Sequence, residues 1–219
     1  DIDVFFGGTV CRLTKDKKNT PILILTNGGR GSRGNVISES ELSKIRAIEQ
    51  RKALSILGLE IDKLEILDYL DGEIDNSLEI ISKISGKIRK EKPQLVCTLE
   101  PHGYYYRYSN TSNYYVNHRD HRNTGISVID AIYPFSRDRS FFKDQLVKEV
   151  GTHNVYEILL TGDSTTNTKV NISNVVESKK RALLSHSSQF DKTTVKEIIN
   201  DGKEGKEYYE KFNYLKLAW

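Results

Sequence analysis

Pro21-Ile-Leu-Ile-Leu-Thr26 is a short continuous apolar run that ends at Asn27-Gly28-Gly29. A run of that length bounded by turn residues reads as a strand buried on both faces. Outward from it the pattern repeats. Ser38-Glu-Ser-Glu41 offers N-cap chemistry, and an amphipathic helix is expected from about Leu42 to Leu57, with Ile45, Ile48, Ala53 and Leu57 near one face and Gly58 as its stop. Leu64-Glu-Ile-Leu-Asp68 reads as a second strand, followed by the turn Asp71-Gly72. Ile74 to Lys90 reads as a helix closed by Pro93, and Gln94-Leu-Val-Cys-Thr-Leu99 as a third strand ending at Glu100-Pro101. Alternation on this scale predicts an α/β fold, a Rossmann-like three-layer sandwich whose mostly parallel sheet carries helices on both faces. Functional residues in such a sheet gather at the carboxyl ends of the strands. The loop 27–35, the Asp71-Gly72 turn and the stretch Glu100–His121 are therefore expected on one rim.

The flanking segments are plainer. Asp1-Ile-Asp-Val-Phe-Phe-Gly7-Gly8-Thr9 is expected as a loop entering a helix that fades at Lys15-Asp-Lys-Lys18. Residues 103–115 are rich in Tyr, Ser and Asn and show no apolar period, so a long binding-type loop is expected, its tyrosines stacking on sugar rings or packing between subunits. Helices are expected from about His121 to Tyr133, over Phe141–Val150 and over Val175–Ser185, and strands at Val155–Leu160 and Lys169–Ile172. The remainder reads as a helical tail ending in Phe212-Asn-Tyr-Leu-Lys-Leu217.

Composition bounds the partners. The 219 residues fit one domain spanning 1–219 and suffice for a core without crosslinks. Net charge is +3 from 33 basic and 30 acidic residues, too evenly mixed to call for nucleic acid or an anionic membrane. No membrane span or secretory leader is expected, because the longest apolar runs are strand-length. Cys11 and Cys97 lie far apart in apolar segments and are expected as buried free thiols, which suits a reducing, cytoplasmic compartment. The chain holds no Met and opens in mid-pattern on Asp1-Ile-Asp3. Residues upstream of Asp1, among them an N-terminal strand, are therefore expected to be missing, and Met positions to have been dropped.

Tyr115-Val-Asn-His118-Arg-Asp120-His121 carries the chemistry. On a helix beginning here, His118 and His121 fall on one face, so one imidazole can bind a metal while the other faces what the metal activates. Gly29-Arg-Gly31-Ser-Arg-Gly34 matches GxGxxG after a strand. The cap at Ser38 comes several residues too late for a pyrophosphate to sit on the helix N-terminus, so a flexible, Arg-bearing rim loop is the better reading.

Several patches together resemble the PIG-L/LmbE-like zinc N-deacetylases. Asp1-Ile-Asp-Val-Phe-Phe-Gly-Gly-Thr9 looks like the tail of H-P-D-D-E-x-x-x-x-G-G-T, with Ile2 in place of Glu. Leu25-Thr-Asn-Gly28 and the glycine loop resemble the second motif, and Arg46-x-x-Glu49-x-x-x-Ala53-x-x-x-Leu57-Gly58 the R-x-x-E-x-x-x-A-x-x-x-L-G helix. Asn117-His118-Arg-Asp120-His121 resembles the stretch that holds H-P-D-H, with Arg119 in place of Pro, and His186-Ser-Ser-Gln-Phe190 resembles H-x-S-Q-F.

The resemblance implies a zinc-dependent N-deacetylase, with zinc or another divalent ion, that removes the N-acetyl group from an N-acetylglucosamine-type amino sugar or glycoconjugate and releases acetate. It implies Asp1 and His121 as metal ligands beside a His upstream of Asp1, and an upstream Asp as general base. His118 would stabilise the oxyanion or protonate the leaving amine, with Asp120 holding its tautomer. Arg46 would reach a sugar hydroxyl, or pair with Glu49 along its helix. Asp71 would accept a substrate hydroxyl, or serve as a plain turn Asp. His186 reads as structural, and His102 and His153 as ordinary residues. Homo-oligomers are common in the family, so one is implied here, with a small amino sugar as the partner molecule. The alternative is a non-catalytic sugar- or nucleotide-binding α/β protein that has lost the metal site.

Overall fold

The computed structural model describes residues 1–31, 37–107, 114–147, 150–161 and 166–219. Most of the second half of the glycine loop and the middle of the tyrosine segment lie outside the described residues. The elements in order are α1 (Ile2–Phe5), α2 (Gly7–Lys15), β1 (Ile22–Thr26), α3 (Glu39–Ile56), β2 (Leu64–Tyr69), α4 (Leu78–Glu91), β3 (Leu95–Leu99) and the short β4 (Tyr105–Tyr106). There follow β5 (Tyr115–Val116), α5 (Arg119–Asp130), β6 (Glu157–Thr161), β7 (Thr168–Asn171), α6 (Val176–Leu184), α7 (Lys192–Asp201), β8 (Lys203–Glu204) and β9 (Glu207–Lys216). Two compact units emerge, one from Asp1–Glu73 with Lys169–Lys211, the other from Ile74–Arg107, Asn113–Thr168 and Phe212–Trp219.

In the first unit β1 and β2 pair in parallel, Ile22 opposite Leu64, joined through α3. The cap on α3 is the one its sequence offers. Ser38 Oγ accepts the Glu41 N–H at 3.2 Å and Glu41 Oε2 accepts the Ser38 N–H at 3.2 Å. Its buried face differs from expectation. Ile45 and Ile48 are exposed, while Glu49 and Gln50 are buried with Leu42, Ala53 and Leu54. The polar pair is buried because both side chains find partners in the same unit, described below, and a satisfied polar group is inexpensive to bury.

The opening residues are helical from Ile2 onward, not a loop as far as Thr9. The cause lies far downstream. The Glu210 carboxylate accepts the N–H groups of Gly8 and Thr9, each at 2.7 Å, and the Thr9 hydroxyl at 2.6 Å. Those amides are among the donors that a helix start leaves without partners. Buried Lys179 pairs with the same carboxylate at 2.6 Å. Gly8 is required for contact, since a Cβ there would lie 2.5 Å from Ile172 Cγ2.

In the second unit β3 and β6 pair in parallel from Leu95/Glu157 to Leu99/Thr161, and β6 pairs antiparallel with the far half of β9, Glu157 opposite Lys216. The fold is therefore mixed α/β: parallel where a helix-bearing crossover joins the strands, antiparallel where β9 returns from its hairpin with β8. The expected helical tail is helix only as far as Asp201. Beyond it Glu210 and Phe212 are buried two apart, the period of a strand. The helix expected over Phe141–Val150 reduces, among the described residues, to the single turn Lys143–Gln145. Arg89, fully buried, explains the irregular path here. Its guanidinium donates to the carbonyls of Phe135, Ser136, Asp138, Phe141 and Phe142 at 2.7–3.2 Å, holding them out of helical pairing. Both cysteines are free thiols; Cys11 is buried as expected, whereas Cys97 is exposed because the neighbouring Thr98 takes the inward face of β3. Among the described residues no helix is long and apolar enough to cross a membrane.

Gly8→Ala should destabilise the chain by about 1–3 kcal/mol in urea unfolding. Combined with Ile172→Ala, the loss should fall short of the sum of the single losses by ~1 kcal/mol or more, because the second change clears the space the new methyl needs.

Candidate active site

His118 is the N-cap of α5, and its Nδ1 accepts the backbone N–H of Asp120 at 3.2 Å. An Nδ1 that accepts leaves the proton of the neutral ring on Nε2, so the exposed edge of His118 is a donor. The Asp120 carboxylate lies 3.7 Å from that Nδ1 and accepts, through Oδ1, the backbone N–H of Ile74 at 3.3 Å. Asn123 Nδ2 donates to the Ile74 carbonyl at 2.6 Å, so α5 grips this backbone from both sides. His121 follows one turn after His118, their ring centroids 5.5 Å apart. Burial lowers the His121 pKa to about 4, against a smaller opposing pull from Asp120, and the imidazole is neutral at pH 7.

α5 is seated at Gly125, where a Cβ would stand 2.3 Å from the Leu99 carbonyl oxygen and 3.1 Å from Pro101 N. His121 precedes Gly125 by one helical turn and shares its face. The turn after β3 therefore lies against the face that carries His121. In that turn Glu100 is buried and its Oε1 takes both the backbone N–H and Nδ1 of His102, each at 2.9 Å. Asn117, just before His118, donates to the carbonyls of Gly103 at 2.8 Å and Glu100 at 3.4 Å. Sequence reading passes over this pair. A signal is nevertheless there: a Glu and a His two apart at the carboxyl end of a strand, the position where α/β sites form.

The other expected site residues belong to the first unit. Asp1 is exposed at the start of α1, where its main-chain carbonyl accepts the N–H groups of Val4 and Phe5 at 3.0 Å. Arg46 donates to the carbonyls of Gly28 at 2.6 Å and Gly31 at 3.0 Å, and its Nε is buried without a partner. Burial lowers the Arg46 pKa, with Asp71 and Glu49 opposing. Asp71 Oδ2 accepts the Arg30 backbone N–H at 2.9 Å. The structure thus brings Arg46 and Asp71 to the described part of one glycine loop. Glu49 takes the Ser187 hydroxyl at 3.0 Å and the Ser188 N–H at 2.8 Å and hydroxyl at 2.6 Å. Asp3 Oδ2 joins Gln50 at 2.8 Å and His186 at 2.9 Å in a buried polar cluster, while Asp3 Oδ1 is buried without a partner.

Among the described residues no three His, Cys, Asp or Glu side chains cluster as a complete metal site. The donors present at the two expected ligand positions, a carboxylate and a neutral imidazole, are of the type that zinc and related divalent ions take.

The chain belongs to the PIG-L family: the family model described as GlcNAc-PI de-N-acetylase matches residues 1–132. It is 30% identical over 190 residues to the diacetylchitobiose deacetylase of Thermococcus kodakarensis, an alignment covering 87% of this chain and 66% of that enzyme, just under two thirds of its length. Its structure is similar to that of the N,N'-diacetylchitobiose deacetylase from Pyrococcus horikoshii solved with its inhibitor MPG, with a TM-score of 0.83 and 26% identity over 99% of this chain and 80% of that one. A conserved protein of Thermus thermophilus shares the fold at a TM-score of 0.74 and 21% identity, over 100% of this chain and 92% of that one.

Gly125→Ala should push α5 off the Leu99 carbonyl. The expected result is a loss of about 1–3 kcal/mol in urea unfolding, with the ring-proton NMR resonances of His102 and His121 displaced together.

Proposed function

We propose that this chain is a metal-dependent N-deacetylase that hydrolyses the N-acetyl group of an N-acetylglucosamine-type amino sugar or glycoconjugate, releasing acetate. The observation that carries the reading is the division of labour between two imidazoles one turn apart: His121 half-buried and neutral, His118 exposed with a donor at Nε2. The family model and both chitobiose deacetylases support the substrate class.

On this reading Asp1 and His121 would hold zinc or another divalent ion. The bound ion would supply an activated water and neutralise charge at the amide carbonyl. With Nδ1 held by the Asp120 N–H the neutral ring carries one proton, so His118 would donate a hydrogen bond from Nε2 to the developing oxyanion, the proton released by the activated water passing to the departing amine. Asp120 would act as a positioning residue, fixing the start of α5 through Ile74. Arg46 and Asp71 would face the substrate hydroxyls from the glycine loop that they shape. We read 1–219 as one such domain, a three-layer Rossmann-like sandwich, because the family match runs across the boundary between the two units. A homo-oligomer and a cytoplasmic location complete the proposal.

The test uses the full-length protein with N-acetylglucosamine and diacetylchitobiose, reading acetate release and bound metal together. Chelation should abolish turnover, and added zinc should restore it. His121→Ala should lose the metal, whereas His118→Ala should keep it and lose roughly 10²–10⁴-fold in kcat. Normal turnover by both variants would refute the site assignment. A wild-type protein that binds the sugar but releases no acetate would instead be the non-catalytic binder.

A further inference from the structure

His102 has the construction of a ligand-facing group. Its side chain is 82% exposed, yet Nδ1 is held at 2.9 Å by a carboxylate that is itself only 7% exposed. Glu100 cannot turn away. Its backbone N–H donates to the Thr161 carbonyl at 2.7 Å, and its Oε1 also takes the His102 N–H. Buried Asn117, the residue before His118, donates to the Glu100 and Gly103 carbonyls of the same turn, and Arg122 donates to the Asn117 carbonyl while lying over the Tyr104 ring at 5.0 Å. An exposed ring ordinarily rotates freely; this one is anchored at one nitrogen by a buried charge.

The anchoring fixes the tautomer. A carboxylate at Nδ1 keeps the proton there, so the neutral ring presents a bare lone pair at Nε2. His118 is the reverse, with Nδ1 accepting and Nε2 donating. Two exposed imidazoles of one unit, at turns joined by Asn117, thus offer opposite hydrogen-bonding edges. A group that donates to His102 while a neighbouring oxygen accepts from His118 would carry both functions. An amino sugar does, with ring hydroxyls as donors and an amide carbonyl as acceptor.

We propose that His102, held by Glu100, accepts a hydrogen bond from a ring hydroxyl of the sugar whose amide faces His118, making it a substrate-binding residue at the end of β3. This rests on the deacetylase reading. His102 performs no proton transfer in it; it orients the ring so that the amide meets the reacting groups.

Kinetics of wild-type, His102→Ala and His102→Gln full-length protein on N-acetylglucosamine and its 3-, 4- and 6-deoxy analogues test it. Since His102 is exposed, the variants should fold. One neutral hydrogen bond is worth about tenfold. His102→Ala should raise KM about tenfold with kcat nearly unchanged, and His102→Gln, which restores an acceptor, should recover most of it. One deoxy analogue should show the same rise with wild type and no further rise with His102→Ala. Equal losses for all four sugars would make the role structural and overturn the proposal, as would unchanged kinetics. If the wild type releases no acetate, the deacetylase reading fails separately, and the His102 ring resonance decides. A shift on adding N-acetylglucosamine that is lost with one deoxy analogue sustains the contact, and no shift refutes it.

Discussion

Helix α5 can rest on the end of β3 only because residue 125 has no side chain, the Leu99 carbonyl occupying the place where a Cβ would be. This close approach sets the chemistry of the second unit. It lays the face carrying His121 against the Glu100–His102 turn and leaves His118 at the exposed helix start. Asp120 and Asn123 then grip the Ile74 backbone, and Asn117 grips the carbonyls of Glu100 and Gly103. A helix packed on one side through bare backbone and hydrogen-bonded on another has little room to rotate, and site geometry depends on such rigidity.

The first unit sets several buried polar groups into its apolar core. One carboxylate, Glu210, receives two backbone amides, a hydroxyl and an ammonium group. Taking an ion pair out of water is costly, and additional hydrogen bonds of this kind are what make it tolerable. The same logic holds where Glu49 takes Ser187 and Ser188, and where Asp3 takes Gln50 and His186. Helix α3 therefore turns its Glu49 and Gln50 inward and leaves Ile48 in solvent, against the usual hydrophobic order.

Local patterns are legible wherever the physics is local. The strand β1 is a continuous apolar run, β2 and β3 are short, mostly apolar segments bounded by turn residues, and the start of α3 is a capping box within four residues. The departures have distant causes. Gly7 and Gly8 look like a loop until Glu210 is supplied as the acceptor for the helix start. The segment after Tyr133 is irregular because buried Arg89 draws its carbonyls inward. The final strand does carry a local sign, inward residues two apart after a turn at Gly205, but mixed charge obscures it. At the site, the motif points to His118, Asp120 and His121 directly. It passes over His102, whose significance comes from a partner that only a folded turn brings to Nδ1.

From its sequence alone this chain is legible as α/β, as a carrier of paired imidazoles on one helical turn, and as a relative of the PIG-L enzymes, because periodicity, caps and motif spacing are written in neighbouring residues. Tertiary structure decided which imidazole is half-buried and neutral, which nitrogen of each exposed ring carries the proton, and which glycine admits α5 to the strand end. These depend on desolvation and on hydrogen-bond partners that meet only when the chain folds, and no local pattern encodes them.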